Sequence, residues 1–159
     1  MTLKEAIRNG VHQIADIAQS TVLETDDGAD FAFLTPSGLC LIGVTHWKQD
    51  SYYIDIRWRV LIGEITSSFD FRVAMQANHS YPETPYGMTV LDGKEILTIT
   101  DTYRFLVSWG PEEIQNIVVS RFGGAFSVPL ALPGVNSLPS EFFSNVLQKY
   151  DLNRLLGVT

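Results

Sequence analysis

Apolar and polar residues alternate most regularly along residues 52–60. The two sets interleave in the order Tyr52, Tyr53, Ile54, Asp55, Ile56, Arg57, Trp58, Arg59 and Val60. A period of two is typical of an antiparallel strand with one buried face and one polar face. The pattern predicts such a strand, in a sheet whose polar face carries Asp55, Arg57 and Arg59.

The first residues of the chain have apolar side chains at helical spacing. Apolar residues recur at three- and four-residue steps, at Leu3, Ile7, Val11, Ile14 and Ala18. Thr2 precedes Glu5 by three residues, which is the spacing of a capping box at a helix start. We predict a first helix that begins after Thr2 and ends near Gln19.

Two more strands are predicted before residue 52. Asp26-Asp27-Gly28 is typical of a turn, because Asp bonds locally and Gly adopts positive φ. Residues 31–34 then precede a break at Pro36-Ser37-Gly38. Residues 39–44 are almost continuously apolar, which indicates a strand covered on both faces.

The second half of the chain alternates between helix and hairpin signals. A helix is predicted from Ser67 or Ser68 to Asn78, and two strands at residues 86–91 and 95–100 flank Asp92-Gly93. A further helix opens at residues 110–113, with Pro at its first position, and a last one runs over residues 138–150. The predicted order is α-β-β-β-α-β-β-α-α, and residues 1–159 form a single α+β domain with a twisted antiparallel sheet.

Composition narrows the class of protein. The 159 residues carry a formal net charge of −7, which disfavours nucleic acid as a partner. The single cysteine excludes an internal disulfide, and the N-terminus has no signal-peptide pattern. No apolar run is long enough to span a bilayer. We therefore expect a cytoplasmic protein without a membrane partner.

Candidate chemistry is sparse. The histidines, His12, His46 and His79, are not at metal-ligand spacing from one another, and Cys40 lies within an apolar run. A catalytic elbow of the Gly-x-Ser-x-Gly type is absent. We expect no metal, no cofactor and no enzymatic activity.

The middle of the chain resembles a known protein family. Residues 74–78 (AMQAN), an aromatic-Pro break, residues 87–93 (GMTVLDG) and residues 97–99 (LTI) resemble the second half of type III secretion chaperones. Within that superfamily, the chain is most similar to the YbjN-like uncharacterised bacterial proteins, over about residues 1–130. The resemblance implies helices packed on a twisted antiparallel sheet, a homodimer, and binding of extended segments of other proteins. Residues 129–139, which are rich in proline, and the added C-terminal helix depart from it.

The leading hypothesis is a non-enzymatic interaction module, a chaperone-like or regulatory adaptor. Its predicted binding surface on the sheet consists of Tyr53, Arg57, Arg59 and Trp58, and its predicted dimer interface of Phe69, Phe71 and Met75. The alternative is a small-molecule sensor whose pocket between sheet and helices is lined by Trp47, Trp58 and Tyr103.

Overall fold

The computed structural model describes residues 1–14, 19–25, 28–35, 38–45, 53–80, 86–106, 108–127 and 133–157. The helices in these ranges are α1 (Leu3–Ile14), α2 (Phe71–Ser80), α3 (Pro111–Ser127), α4 (Ser140–Lys149) and α5 (Leu152–Leu155). The strands are β1 (Gln19–Thr25), β2 (Gly28–Thr35), β3 (Gly38–Thr45), β4 (Tyr53–Ile65), β5 (Tyr86–Leu91), β6 (Lys94–Leu106) and β7 (Val135–Ser137).

The strands form one open antiparallel sheet in the order β1-β2-β3-β4-β6-β5. The short β7 pairs with the last residues of β4, and a bulge between Leu61 and Gly63 interrupts the register of β4 against β6. Strands β1 and β5 are the two edges of this path. The α+β class and the antiparallel sheet are thus confirmed.

Helices cover both faces of the sheet, so the core is divided in two. On the first face, Ile7 of α1 and Ile114 and Val118 of α3 pack against residues from the central strands, including Trp58. On the second face, Phe143 and Val146 of α4 and the buried leucines of α5 do the same. The division explains the apolar run at residues 39–44, because β3 alternately contributes to the first cluster and to the second.

The start of α1 and the turn of the hairpin match the sequence predictions. The Thr2 backbone amide donates to Glu5 Oε2 at 2.7 Å, and the Glu5 amide donates to Thr2 Oγ1 at 3.1 Å, which is a complete capping box. Asp92 and Gly93 have φ of 52° and 73°, as the twisted two-residue turn between β5 and β6 requires. The predicted end of α1 near Gln19 is wrong, because the helix ends at Ile14 and Gln19 begins β1.

Helix α2 begins later than predicted. Asp70 is its N-cap, since its Oδ1 accepts from the Arg72 amide at 3.0 Å. The upstream Ser68 instead hydrogen-bonds Thr66, whose Oγ1 also bonds the Gly134 carbonyl at 2.7 Å. Phe69 therefore precedes the helix. The predicted order also lacked β1, β7 and α5, none of which carries a long periodic pattern.

Candidate interaction surface

Exposed apolar side chains gather on α2 and β5. On the helix, Phe71 is 52%, Val73 48% and Met75 70% exposed, and on the strand Met88 and Val90 are 46% and 50% exposed. The helix lies beside the strand. We call these five residues the α2–β5 surface. Phe71 and Met75 share one side of α2, whereas Val73, two positions from each, lies on another side. Large exposed apolar side chains that lie together mark places where another molecule docks.

Phe69 anchors this surface to the core. Its ring is 9% exposed and belongs to the first cluster. The Phe71 ring meets it edge to face, with ring centroids 5.0 Å apart and an interplanar angle of 87°. This arrangement fixes the first turn of α2, so that Phe71 is presented on a supported backbone.

Strand β5 forms an edge whose own sequence carries none of the usual protective residues. Within the described residues it pairs with β6 alone, in continuous register from Tyr86 to Leu91. Its sequence, YGMTVL, contains neither a charged residue nor proline. Edge strands that must stay unpaired generally carry lysine, proline or a bulge. Within the described residues no strand pairs with the outer edge of β5, which is the kind of edge to which an extended peptide can add.

The charges at the start of α2 neutralise each other. Arg72 donates to both carboxylate oxygens of Asp70, at 3.1 and 3.0 Å. This hydrogen bond holds the pKa of Asp70 below its usual value and raises the pKa of Arg72. The pair is exposed, so it adds little to stability. It leaves no uncompensated charge next to Phe71, which suits an apolar interface core.

The polar face of β4 is arranged differently from the prediction. Arg57 and Arg59 share the second face, as expected, but α5 and the turn after it lie over them. Arg57 Nη1 donates to the Gly157 carbonyl at 3.3 Å, and Arg59 Nη1 donates to the Leu155 carbonyl at 3.0 Å. Burial, and then repulsion from Arg57, lower the pKa of Arg59.

Trp58 does not share this surface. Its side chain is 0% exposed and lies in the first cluster, on the opposite face of the sheet from Arg57 and Arg59. Its inclusion in an exposed binding surface is therefore wrong, and the reason is the period of two along β4. The side chain of Tyr53, the fourth residue of that predicted surface, lies outside the described part of the chain.

The predicted dimer residues separate into two environments. Phe71 and Met75, one helical turn apart, are exposed together on α2, whereas Phe69 is buried beneath them. Of the predicted sensor pocket, Trp47 lies outside the described residues. Trp58 is buried on the first face, where Tyr103 packs against the same cluster. Sequence reasoning missed Val73, Met88 and Val90, although the alternation of Met88, Thr89 and Val90 was a visible strand signal.

An acidic side chain lies two strands from Arg57, on the same face of the sheet. Asp30 of β2 is paired with Gly43 of β3, which is paired in turn with Arg57 of β4. Gly43 has no side chain, and both Leu156 and Asp30 Oδ1 occupy the space where its Cβ would project. Asp30 is 8% exposed, and burial raises the pKa of its carboxyl.

In the described ranges, no three His, Cys, Asp or Glu side chains lie close enough to hold a metal ion together. None of the helices there is both long and apolar enough to cross a membrane.

The fold and this surface define an α+β protein with an open antiparallel sheet and an exposed apolar helix beside an uncharged sheet edge. Comparison with known proteins adds no family: no family model matches the chain, and no curated protein is significantly similar to it.

Proposed function

We propose that the protein is a non-enzymatic interaction module, a chaperone-like or regulatory adaptor, that forms a homodimer and holds an extended segment of another protein. The observation that carries the proposal is the α2–β5 surface, where exposed apolar side chains adjoin an uncharged edge strand. Helix α2 supplies the contact between two copies. The open edge of β5 supplies backbone donors and acceptors for the extended segment.

The order of elements supports the relation to the type III secretion chaperone-like superfamily. A leading helix, a run of antiparallel strands, the helix α2, a hairpin and the helix α3 follow one another along the chain. The first strand, β1, extends the three-strand run that the resemblance implies. A relation of fold by itself assigns no partner, so the function rests on the surface.

A twofold contact through α2 is chemically self-consistent. Phe71 and Met75 lie one helical turn apart and present aromatic and thioether groups, which pack adaptably against copies of themselves. Two surfaces of a chain with net charge −7 repel each other unless the contact itself carries little charge. The internally paired Asp70 and Arg72 meet that requirement.

The test is the solution mass by light scattering, on the wild type and on two matched variants of α2. The wild type is expected at twice the 17.8 kDa chain mass. Met75→Asp is expected to give a folded monomer, because it places a charge in the contact. Gln76→Asp adds the same charge at an exposed neighbour and is expected to remain dimeric.

Circular dichroism establishes that each variant is folded. A wild type that is monomeric at micromolar concentration contradicts the dimer. A Met75→Asp variant that stays dimeric moves the interface away from α2.

The edge of β5 is tested separately by amide hydrogen exchange. A synthetic peptide with the sequence of residues 86–91 is an uncharged extended probe for strand addition. Its binding is expected to slow exchange of the outward-facing β5 amides, and Val90→Lys is expected to abolish that protection. Unchanged exchange in the wild type contradicts capture of an extended segment at this edge.

A further inference from the structure

In the part of the chain that the structure describes, Arg57 and Arg59 have no anionic partner. There each donates one hydrogen bond, and both acceptors are backbone carbonyls of the C-terminal segment. Within the described residues, no carboxylate lies within ion-pair distance of either guanidinium. By contrast, Arg72 donates two hydrogen bonds to Asp70, and Arg104 donates two to Asp55.

Among the described residues, the two arginines use only part of their hydrogen-bonding capacity. A guanidinium carries five N–H donors in a planar fork that matches two oxygens of one anion. Arg59 Nε is buried and has no acceptor. A buried donor without an acceptor is rare and energetically unfavourable, so an oxygen atom belongs at this position.

Residues 152–157 cover the two arginines and present carbonyl oxygens to them, as a negatively charged ligand would present its oxygens. Leu152, Leu155 and Leu156 bury their side chains on the second face of the sheet. Helix α5 ends at Leu155, and Gly157, two residues later, turns the backbone with a φ of 77°. The Gly157 amide donates to the Arg154 carbonyl at 3.0 Å. The terminal carbonyls of a helix carry partial negative charge. Here the carbonyl of Leu155, the last residue of α5, accepts from Arg59, and the carbonyl of Gly157, in the turn after the helix, accepts from Arg57.

We propose that Arg57 and Arg59 form a binding site for a carboxylate or phosphate group, and that the carbonyls of Leu155 and Gly157 occupy it as an internal ligand. A full negative charge with two or three oxygens satisfies more guanidinium donors than two neutral carbonyls do. The anion therefore competes with the docked position of α5. The site is on the second face of the sheet, and its existence does not depend on the α2–β5 surface.

Gly43 and Asp30 influence how well an anion competes with the docked α5 segment for the two arginines. Gly43 leaves room for Leu156, and a Cβ at this position would lie 2.8 Å from Leu156 Cδ1. Asp30 lies two strands from Arg57 and carries the charge that repels an incoming anion. Removing that charge favours anion binding without altering the arginines.

The experiment titrates the full chain with inorganic phosphate and, in a parallel arm, with succinate. The readouts are calorimetry and the ¹⁵N signal of Arg59 Nε–H. Leu155→Ala loosens α5 and is expected to tighten anion binding by about tenfold, because more molecules then have an uncovered site. Leu91→Ala removes an equally buried leucine of the same cluster away from the arginines and is expected to leave the affinity unchanged.

Two other substitutions test the residues themselves. Arg59→Met is expected to abolish binding, and Asp30→Asn is expected to strengthen it. A response to phosphate alone identifies a phosphate site, and a response to succinate alone identifies a carboxylate site.

The proposal is overturned if neither anion, at millimolar concentration, shifts the Arg59 Nε–H signal of the wild type or of Asp30→Asn. Because these two proteins keep α5 intact, that outcome is decisive even if Leu155→Ala does not fold. Binding that persists in Arg59→Met also overturns it.

Discussion

Replacing Asp30 with asparagine is expected to stabilise the protein at neutral pH. Asp30 as a whole residue is 8% exposed, and the described residues give its carboxyl no hydrogen bond. A buried polar group without a partner costs about 1–3 kcal/mol, and a charged one costs more. Asparagine keeps the shape of the side chain and removes the charge, so it avoids a cavity.

The opposing effect is attraction to Arg57 across Gly43. Two strand spacings separate the two residues by roughly 9.6 Å. At that distance, unit charges attract by about 0.4 kcal/mol in water and about 1.7 kcal/mol at an effective dielectric constant of 20. Burial outweighs this attraction, as the raised pKa of Asp30 indicates. We therefore expect Asp30→Asn to gain about 1 kcal/mol, or about 2–4 °C in melting temperature.

The gain must depend on pH in one direction. Because the folded pKa of Asp30 lies above its ordinary value of 3.8, folding favours the protonated carboxyl. Its contribution to stability is complete below pH 3.8 and is lost as the pH rises through the folded pKa. The difference between Asp30→Asn and the wild type should therefore vanish in acid and grow towards neutral pH.

Urea unfolding across this pH range measures the difference, with fluorescence of the buried Trp58 among the signals. Asp55→Asn is the matched control, since Asp55 is paired with Arg104 and the substitution is expected to lose up to about 1 kcal/mol. In an Arg57→Met background, the gain from Asp30→Asn should increase, because the attraction is gone. A gain independent of pH, or a loss of stability at neutral pH, refutes the reasoning.

Four further substitutions test the fold by unfolding measurements. Thr2→Ala removes half of the capping box and is expected to lower stability by about 1 kcal/mol, and an unchanged value would contradict the cap. Gly93→Ala adds a Cβ that meets no atom within 4 Å and is expected to cost only about 1–2 kcal/mol of backbone strain. Gly134→Ala places its Cβ 2.5 Å from Phe69 backbone atoms and is expected to be far more destabilising, so equal effects would argue against this packing. Leu155→Ala is expected to cost about 2–5 kcal/mol, unless α5 undocks alone, in which case hydrogen exchange shows the loss confined to residues 151–157.

Local chemistry determined the parts of the fold that the sequence could predict. The alternation along β4, the capping box at Thr2 and the Asp92-Gly93 turn each act within a few residues, and each is present as predicted. The same alternation places Trp58 on the opposite face from Arg57 and Arg59. The inclusion of Trp58 in the predicted binding surface was therefore an error that the sequence pattern itself could have prevented.

The remaining features depend on distant partners. Helix α5 has four residues, too few to show a period, and its burial comes from leucines that fit onto β2 and β3. The acceptors of Arg57 and Arg59 lie about a hundred positions further along the chain, so no local pattern indicates them. The α2–β5 surface was visible only in part, because exposure of Phe71 depends on how Phe69 enters the core.

The two proposed sites occupy separate parts of the molecule, so their tests discriminate between them. The α2–β5 surface combines α2 with one edge of the sheet, whereas the arginine pair lies on β4 under α5, with β6 intervening between β4 and β5. Substitutions that share no partners generally act independently. Met75→Asp should therefore change the solution mass and leave the anion response of Arg59 intact, whereas Arg59→Met should do the reverse. If instead the anion response changes with the dimer, the C-terminal segment and α2 are coupled through the sheet, and release of α5 becomes a means of controlling assembly.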